Sequence, residues 1–286
     1  MNFEKYLNDK RNIIDKALDE FLPSEEKSPS IIHKAMRYSV FSGGKRLRPI
    51  LTLAIAELLG KEIEMVLNVA CGIELIHTFS LIHDDLPCID NDDFRRGKPS
   101  NHKVFGEDIA LLAGDALLVS GFEMIVKNAE LKGIKKQSIL KVIKEISYYI
   151  GTDNMLGGQV EDINPENKNI TKEDLYNMYM KKTTALVCAS IRAGAILSDA
   201  NQRQLKALTR YGEKIGLAFQ IVDDILDIMQ DQREMGKPTY PTKYGIKESK
   251  IEAERLIKEA KNSLKIFNHK AEVLNNLADY IISREK

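Results

Sequence analysis

The chain has 286 residues, of which 43% are apolar and 29% charged. These are the proportions of a folded globular protein with room for one large domain or two ordinary ones. Lys plus Arg equals Asp plus Glu at 42 each, so the net charge is zero, which argues against a chain built mainly to coat nucleic acid or an anionic membrane. Cys71, Cys88 and Cys188 are far apart and odd in number; they suggest neither a disulfide framework nor a zinc site and fit a reducing, cytoplasmic compartment.

Apolar residues recur at three- and four-residue spacing nearly throughout, with short Gly, Pro or Asn clusters between the segments. The pattern predicts helices at 3–21, 29–42, 49–60, 63–86, 107–128, 135–150, 153–163, 172–197, 201–231, 247–265 and 269–283. The first is amphipathic and lacks the uninterrupted apolar core of a signal peptide. No run of 18 apolar residues exists, so no membrane span is expected. Convincing strands are absent, and the longer loops fall at 87–104 and 232–246. With no low-complexity linker and no solenoid repeat, the economical reading is one all-α domain over residues 1–286, a helical bundle. Its centre would be the helices at 63–86 and 201–231, which are apolar on more than one face.

Two acidic clusters break this apolar pattern. "LIHDDLPCIDNDDFRRGKPSNH", residues 81–102, follows an apolar helix and carries Asp84, Asp85 and Asp90, then Arg95 and Arg96. "GLAFQIVDDILDI", residues 216–228, sets Asp223, Asp224 and Asp227 in an apolar helix. Asp223 and Asp227 are four apart and share a face. Asp84 and Asp90 are six apart and would diverge on a straight helix, but Pro87 disfavours helical geometry at Leu86. A local bulge there would return Asp90 to Asp84. Buried carboxylates are costly unless paired or metal-bound. Salt-bridged or helix-capping aspartates would explain one such cluster, but two with the same Asp-Asp start favour a hard cation, with Mg²⁺ shared between carboxylates and phosphate.

The basic residues suit the phosphate. "SGGKRLRP", residues 42–49, is a glycine turn bearing Gly44, Lys45, Arg46 and Arg48 just before a helix start. It lacks Walker-loop spacing and by itself reads as a solvated loop. "MYMKKTTALVCAS", residues 178–190, places Lys182 and Thr183 at the polar end of an apolar helix. His77 precedes Asp84 by two turns, where a satisfied core histidine is the plainer reading.

These residues resemble a known family. "SLIHDDLPCIDNDDFRRGKPSNH" with "FQIVDDILD" is similar to the trans-isoprenyl diphosphate synthases, in the bacterial and plastid branch that includes farnesyl and geranylgeranyl diphosphate synthases. "GGKRLRP", "AGDALL", "GGQVEDI", "KTTAL", "GKPTYP" and "LADYIISREK" extend the likeness over almost the whole chain. The resemblance implies the isoprenoid synthase bundle, a homodimer and three Mg²⁺ ions, with Mn²⁺ as an alternative. The implied reaction joins isopentenyl diphosphate head-to-tail to an allylic diphosphate, dimethylallyl or geranyl. It also implies a metal set of Asp84, Asp85, Asp90, Asp223, Asp224 and Asp227, with Asp84, Asp90 and Asp223 as the direct ligands. Arg95 and Lys182 would hold the allylic diphosphate, Thr183 and Gln220 would flank the reacting carbons, and Lys45, Arg48, His77 and Arg96 would hold isopentenyl diphosphate. Rival readings are an isoprenoid cyclase, which usually lacks the second Asp-Asp motif, and a non-catalytic subunit of a heteromeric synthase, which tends to lose carboxylates.

One departure and one ambiguity remain. Related enzymes carry two Gly-Lys pairs after the second motif; this chain has one, so Lys237 is expected to act as the single lid lysine over the allylic diphosphate. Phe79 lies five residues before Asp84, roughly 7.5 Å along the axis at 1.5 Å per residue. A ring there can act as the floor of the product shaft, with small Ser80 adding no second floor. This resembles the farnesyl-forming enzymes, whereas the flank of the first motif is also very similar to geranylgeranyl synthases of plastids; a fifteen-carbon product is expected as the main one, with twenty carbons as the alternative.

Overall fold

The computed structural model describes residues 2–163, 170–229 and 238–284. Thirteen α-helices account for most of them: α1 (Phe3–Phe21), α2 (Ser30–Val40), α3 (Leu47–Leu58), α4 (Glu64–Asp84), α5 (Asn101–Phe105), α6 (Glu107–Lys127), α7 (Lys136–Ile150), α8 (Met155–Ile163), α9 (Lys172–Tyr179), α10 (Ala185–Leu197), α11 (Gln202–Met229), α12 (Tyr240–Ser263) and α13 (Glu272–Ser283). The fold is all-α, as the periodicity predicts. The expected strandless loop at 87–104 differs in two respects: α5 starts at Asn101, and β1 (Phe94–Arg95) and β2 (Lys98–Pro99) form a two-residue antiparallel hairpin. Its turn residues Arg96 and Gly97 have φ of 54° and 75°, the left-handed pair that a tight hairpin with strand-matching twist requires.

Two compact units emerge: Met1–Leu53 with Glu62–Ile143, and Ala54–Lys61 with Lys144–Lys286. In the first, α4 is the axis and packs on α6, α1 and α2. Its side chains from Val66 to Ile82 are mostly buried, which is why its sequence is apolar on several faces. In the second, α11 takes that role against α10, α12 and α13. Gly212 and Gly216 let α11 approach closely: a Cβ on Gly212 would meet Ile191 at 2.9 Å, and one on Gly216 would meet Thr184 at 2.5 Å. Gln220 and Asp224 continue that same stripe by one and two turns.

Both α4 and the stretch Glu107–Glu130 are long and apolar enough to cross a membrane, although no 18-residue run is wholly apolar. The α4 window is 67% buried, and a core helix passes the same test of length and composition. α6 is the more exposed of the two, along a stripe at Leu112, Val119 and Val126.

Two expected boundaries differ. The helix expected at 172–197 is interrupted by a π-helical turn at Met180–Thr184. The helix expected from 247 starts at Tyr240, capped by Thr239 and Thr242 with Pro241 in its first turn; Gly245, at φ 82°, kinks it. The kink hides the leading turn from any periodicity count.

Arg46 holds the first unit's loop in place. It was grouped above with the anion-binding cations, but its guanidinium is buried. Nε donates to Asp15 at 2.8 Å, Nη1 to Glu74 at 2.9 Å and Nη2 to the Val40 carbonyl at 2.6 Å. Glu74 is itself 2% exposed, so each charge depends on the other. Replacing Arg46 by Met should lower the unfolding free energy by about 3–5 kcal/mol in urea titration, because Glu74 is left charged and unpaired. Adding Glu74→Leu to Arg46→Met should recover most of that loss.

Candidate functional site

The first carboxylate cluster forms where α4 ends. Pro87 stops the helix, and the chain folds back so that the Asp90 N–H donates to the Asp84 carbonyl at 3.0 Å and the Asn91 N–H to the Leu86 carbonyl at 3.1 Å. Asn91 takes φ 55° to close the turn, a conformation Asn tolerates. The expected return of Asp90 to Asp84 is therefore present in the backbone. Asp85 turns inward and is buried. The Arg95 Nε donates to its Oδ1 at 2.8 Å and Nη2 adds a second, very short bond, while Nη2 also reaches Asp92 at 2.8 Å. Burial outweighs this pairing and pushes the Asp85 carboxyl up to about 6.

The glycine turn before α3 meets the hairpin. Gly44 has φ 119°, and a Cβ there would lie 2.7 Å from the Arg96 guanidinium, which donates to the Gly43 carbonyl. Only glycine satisfies both demands. Lys45 and Arg48 are half-buried beside it. Arg48 Nη1 lies 3.2 Å from His77 Nε2, so His77 accepts through Nε2 as a neutral ring. Burial, and then Arg48, Arg96 and further guanidinium groups, pull its pKa well below 6.5. His77, Ser80 and Asp84 lie along one face of α4 at i, i+3 and i+7. Phe79 belongs to the adjacent face: its ring meets His83 edge-on at 4.9 Å, and His83 Nε2 donates to the Leu111 carbonyl of α6 at 3.0 Å.

The second cluster shows the same division of labour. Asp224 is buried, and Tyr179 OH donates to its Oδ2 in a very short bond. Gln220 Nε2 donates to its Oδ1 at 3.0 Å, and Thr183 Oγ1 donates to Gln220 Oε1 at 2.6 Å. Tyr179 OH in turn accepts the Tyr240 N–H at 2.9 Å. Asp224, expected in the metal set, thus organises a chain of hydrogen bonds from α12 through α9 and α11 to the π-helical turn. Asp223 and Asp227 are more open. Lys182, on that turn, pairs with Asp162 of α8 at 2.6 Å, and Lys181 pairs with Glu161. A Cβ on Gly158 would sit 2.5 Å from the Lys182 backbone nitrogen, so glycine seats α8 against the turn. Lys237 lies outside the described residues.

Asp84 and Asp90, and separately Asp223 and Asp227, offer hard oxygen donors without soft ligands. Among the described residues no three His, Cys, Asp or Glu side chains close into a cage. An open set of few carboxylates fits Mg²⁺ that completes its shell with water and phosphate.

A model of the polyprenyl synthetase family matches residues 29–270. The chain belongs to the polyprenyl synthetase family. Among its relatives, a dimethylallyltranstransferase of Fischerella ambigua is 46% identical, covering 99% of this chain and 84% of the relative. A geranylgeranyl diphosphate synthase of Cyanophora paradoxa is 42% identical over 99% of this chain and 97% of its own. The solved apo structure of an FPP/GFPP synthase from Zymomonas mobilis superposes with a TM-score of 0.87 at 36% identity, covering 98% and 97% of the two chains. The fold is thus the isoprenoid synthase bundle, and this polyprenyl synthetase is a prenyltransferase.

Sequence reasoning assigned no role to Tyr179, Asp162 or Arg284. "GGQVEDI" carried Asp162 in plain view, but its pairing with Lys182 depends on the π-helical turn. Arg284 Nη2 donates to Asp223 Oδ1 at 3.0 Å, a pairing across 61 residues that no local signal announces.

The shifted pKa values carry signs that can be tested. Between the lowered His77 pKa and 6.5, the unfolded chain holds a proton that the folded chain lacks. His77's share of stability is therefore whole above pH 6.5 and falls below it, at up to about 1.4 kcal/mol per pH unit. Asp85 acts with opposite sign: raised from 3.8 to about 6, it favours the folded state at low pH and loses that contribution as pH rises through 6. A His77→Gln variant removes only the first effect. Urea titrations from about pH 8 to 5 should show wild type losing stability relative to this variant only on the acid side; a constant gap across the range would refute the neutral, crowded His77.

Proposed function

We propose that this prenyltransferase condenses isopentenyl diphosphate head-to-tail with dimethylallyl and geranyl diphosphates, making farnesyl diphosphate, with geranylgeranyl diphosphate as the alternative product. We take residues 1–286 as one functional domain, since the family match spans both compact units. The observation that carries the reading is the shared construction of the two acidic clusters. In each, the second aspartate is buried and pinned inside its own unit, and the first keeps more of its surface in solvent, where a cation can reach it.

The family generally uses Mg²⁺; the finer proposal is three ions, with Asp84, Asp90 and Asp223 as direct ligands. Mg²⁺ would neutralise the charge that grows on the departing diphosphate. Lys182 and Arg95 would add positive charge there by exchanging their carboxylate partners for diphosphate oxygens. Lys45, Arg48 and Arg96 would orient the isopentenyl diphosphate, with neutral His77 fixing Arg48. Thr183 and Gln220, locked to each other and to Asp224, would present oxygen dipoles to the allylic cation. The apolar interior excludes water that would quench that cation. The last proton goes to the departing diphosphate, so no side-chain base is assigned. A cyclase or a non-catalytic subunit is less well supported, because both carboxylate sets and the isopentenyl-side turn are intact.

Asp84→Ala or Asp223→Ala should lower turnover by orders of magnitude in a Mg²⁺-dependent assay with both labelled substrates. The melting temperature of Asp84→Ala should hold or rise, because like carboxylates repel when no cation is bound, whereas that of Asp223→Ala should fall, because the buried Arg284 guanidinium loses its carboxylate. Near-normal turnover in either variant would remove that cluster from the mechanism.

Assembly is proposed as a homodimer in the cytoplasm. Leu112, Val119 and Val126 recur every seven residues on α6, each more than half exposed, and a second copy would cover them. Sedimentation of Val119→Glu should yield monomers where wild type gives dimers; an unchanged species would place the interface elsewhere.

Product length remains assigned to Phe79. Ser80 shares the face of Asp84, and the Phe79 ring next to it narrows the side toward α6. Phe79→Ala should shift the chromatogram from C15 toward C20 or longer. A wild type that already accumulates C20, or an unchanged variant, would locate the limit at another position.

A further inference from the structure

The residue after α13 is Arg284, and its side chain is only 3% exposed. The guanidinium stacks on the Phe219 ring at 3.8 Å. Nη2 donates both to the Phe219 carbonyl at 2.9 Å and to Asp223 Oδ1 at 3.0 Å. Phe219 and Asp223 are one turn apart on α11, so a single guanidinium nitrogen bridges one turn of the second acidic helix. Asp223 itself keeps 45% of its side chain exposed. Its carboxylate is therefore anchored at one oxygen on the protein side and open to solvent overall.

Burying a guanidinium costs several kcal/mol unless it is paired and hydrogen-bonded. If the only task were to seal α13 onto α11, an apolar side chain would pack over Phe219 without that cost. What an arginine adds is direction: a planar guanidinium, stacked on the Phe219 ring and bonded to the Phe219 carbonyl, holds Nη2 in one place and so fixes the acid oxygen it meets. Carboxylates that bind metals are commonly oriented in this way by a hydrogen-bonding partner behind them, and losing the partner weakens metal binding by about 10- to 100-fold.

We infer that Arg284 is a positioning residue for Asp223, fixing one carboxylate oxygen so that the other is presented to a divalent cation held with diphosphate. The inference rests on the proposed role of Asp223 as a metal ligand. It makes the residue after α13 part of the structure that supports Asp223, acting through that carboxylate.

The test is direct cation binding. Free Mn²⁺ is followed by electron paramagnetic resonance while protein is titrated in the presence of saturating inorganic diphosphate. Arg284→Met should weaken the Mn²⁺ dissociation constant by about 10- to 100-fold, with an unchanged far-ultraviolet circular dichroism spectrum. Arg284→Lys keeps charge and stem but not the planar group that stacks on Phe219; it should also weaken binding several-fold and serves if the Met variant does not fold. In the Asp223→Asn background, Arg284→Lys should add little, since the two residues act as one unit. Binding of inorganic diphosphate without a divalent cation should be the same in wild type and both Arg284 variants. Wild-type Mn²⁺ affinity in a folded Arg284 variant overturns the inference while leaving the metal role of Asp223 intact. An equal loss of metal-free diphosphate binding also overturns it, since Arg284 would then be an anion ligand. Undiminished Mn²⁺ binding by Asp223→Asn would overturn the ligand role and the inference together.

Discussion

The cost of burying a carboxylate governs how both acidic motifs are built. An aspartate inside a helical unit must be paired or fully hydrogen-bonded. Asp85 meets that demand with Arg95, and Asp224 meets it with Tyr179 and Gln220. Because each of these second aspartates is tied down, the backbone around it is fixed. The preceding residue, Asp84 or Asp223, is then held about 100° further round its helix, toward solvent. The rule that punishes a buried charge thus aims the open one.

The cations of the site obey a related rule. Lys182 rests against Asp162, Lys181 against Glu161, and Arg95 against Asp85 and Asp92. A chain of zero net charge holds its positive groups in local pairs rather than in a broad field. The Lys181–Glu161 pair is partly exposed and contributes little to stability, whereas Asp162 and Asp85 are largely buried and depend on their cations. A diphosphate carries more charge per oxygen pair than one carboxylate and can displace it. Arg46 stands apart from this set. It is buried among Asp15, Glu74 and Val40, and it carries the glycine turn that places Lys45 and Arg48.

The π-helical turn at Met180–Thr184 shows why some functional residues escape a sequence reading. One extra residue in a helical turn rotates everything after it. That rotation puts Lys182 beside Asp162 and Thr183 beside Gln220, while a regular helix drawn through 172–197 would separate them. The close approach of α11 at Gly216 to Thr184 is what makes the wider turn fit. Tyr179 looked like an ordinary aromatic of an amphipathic helix. Its hydroxyl joins Tyr240 and Asp224 from distant parts of the chain.

The sequence by itself determined the helical class, most helix positions, the two acidic clusters and the bend that Pro87 imposes on the first. These follow from local rules: apolar spacing, the missing donor of proline, and the rarity of carboxylates in apolar helices. It also supplied, through its motifs, the family that the comparisons bear out. Only the tertiary structure decided which aspartate of each pair is buried and which is open. It also decided that Arg46 is a structural arginine while its neighbours are not, and that Arg284 stands behind Asp223. Those assignments depend on which partner a charge meets after burial, and most of the charged partners come from 10 to 61 residues away along the chain. Local pattern fixes where a charge can be, and packing alone fixes what neutralises it.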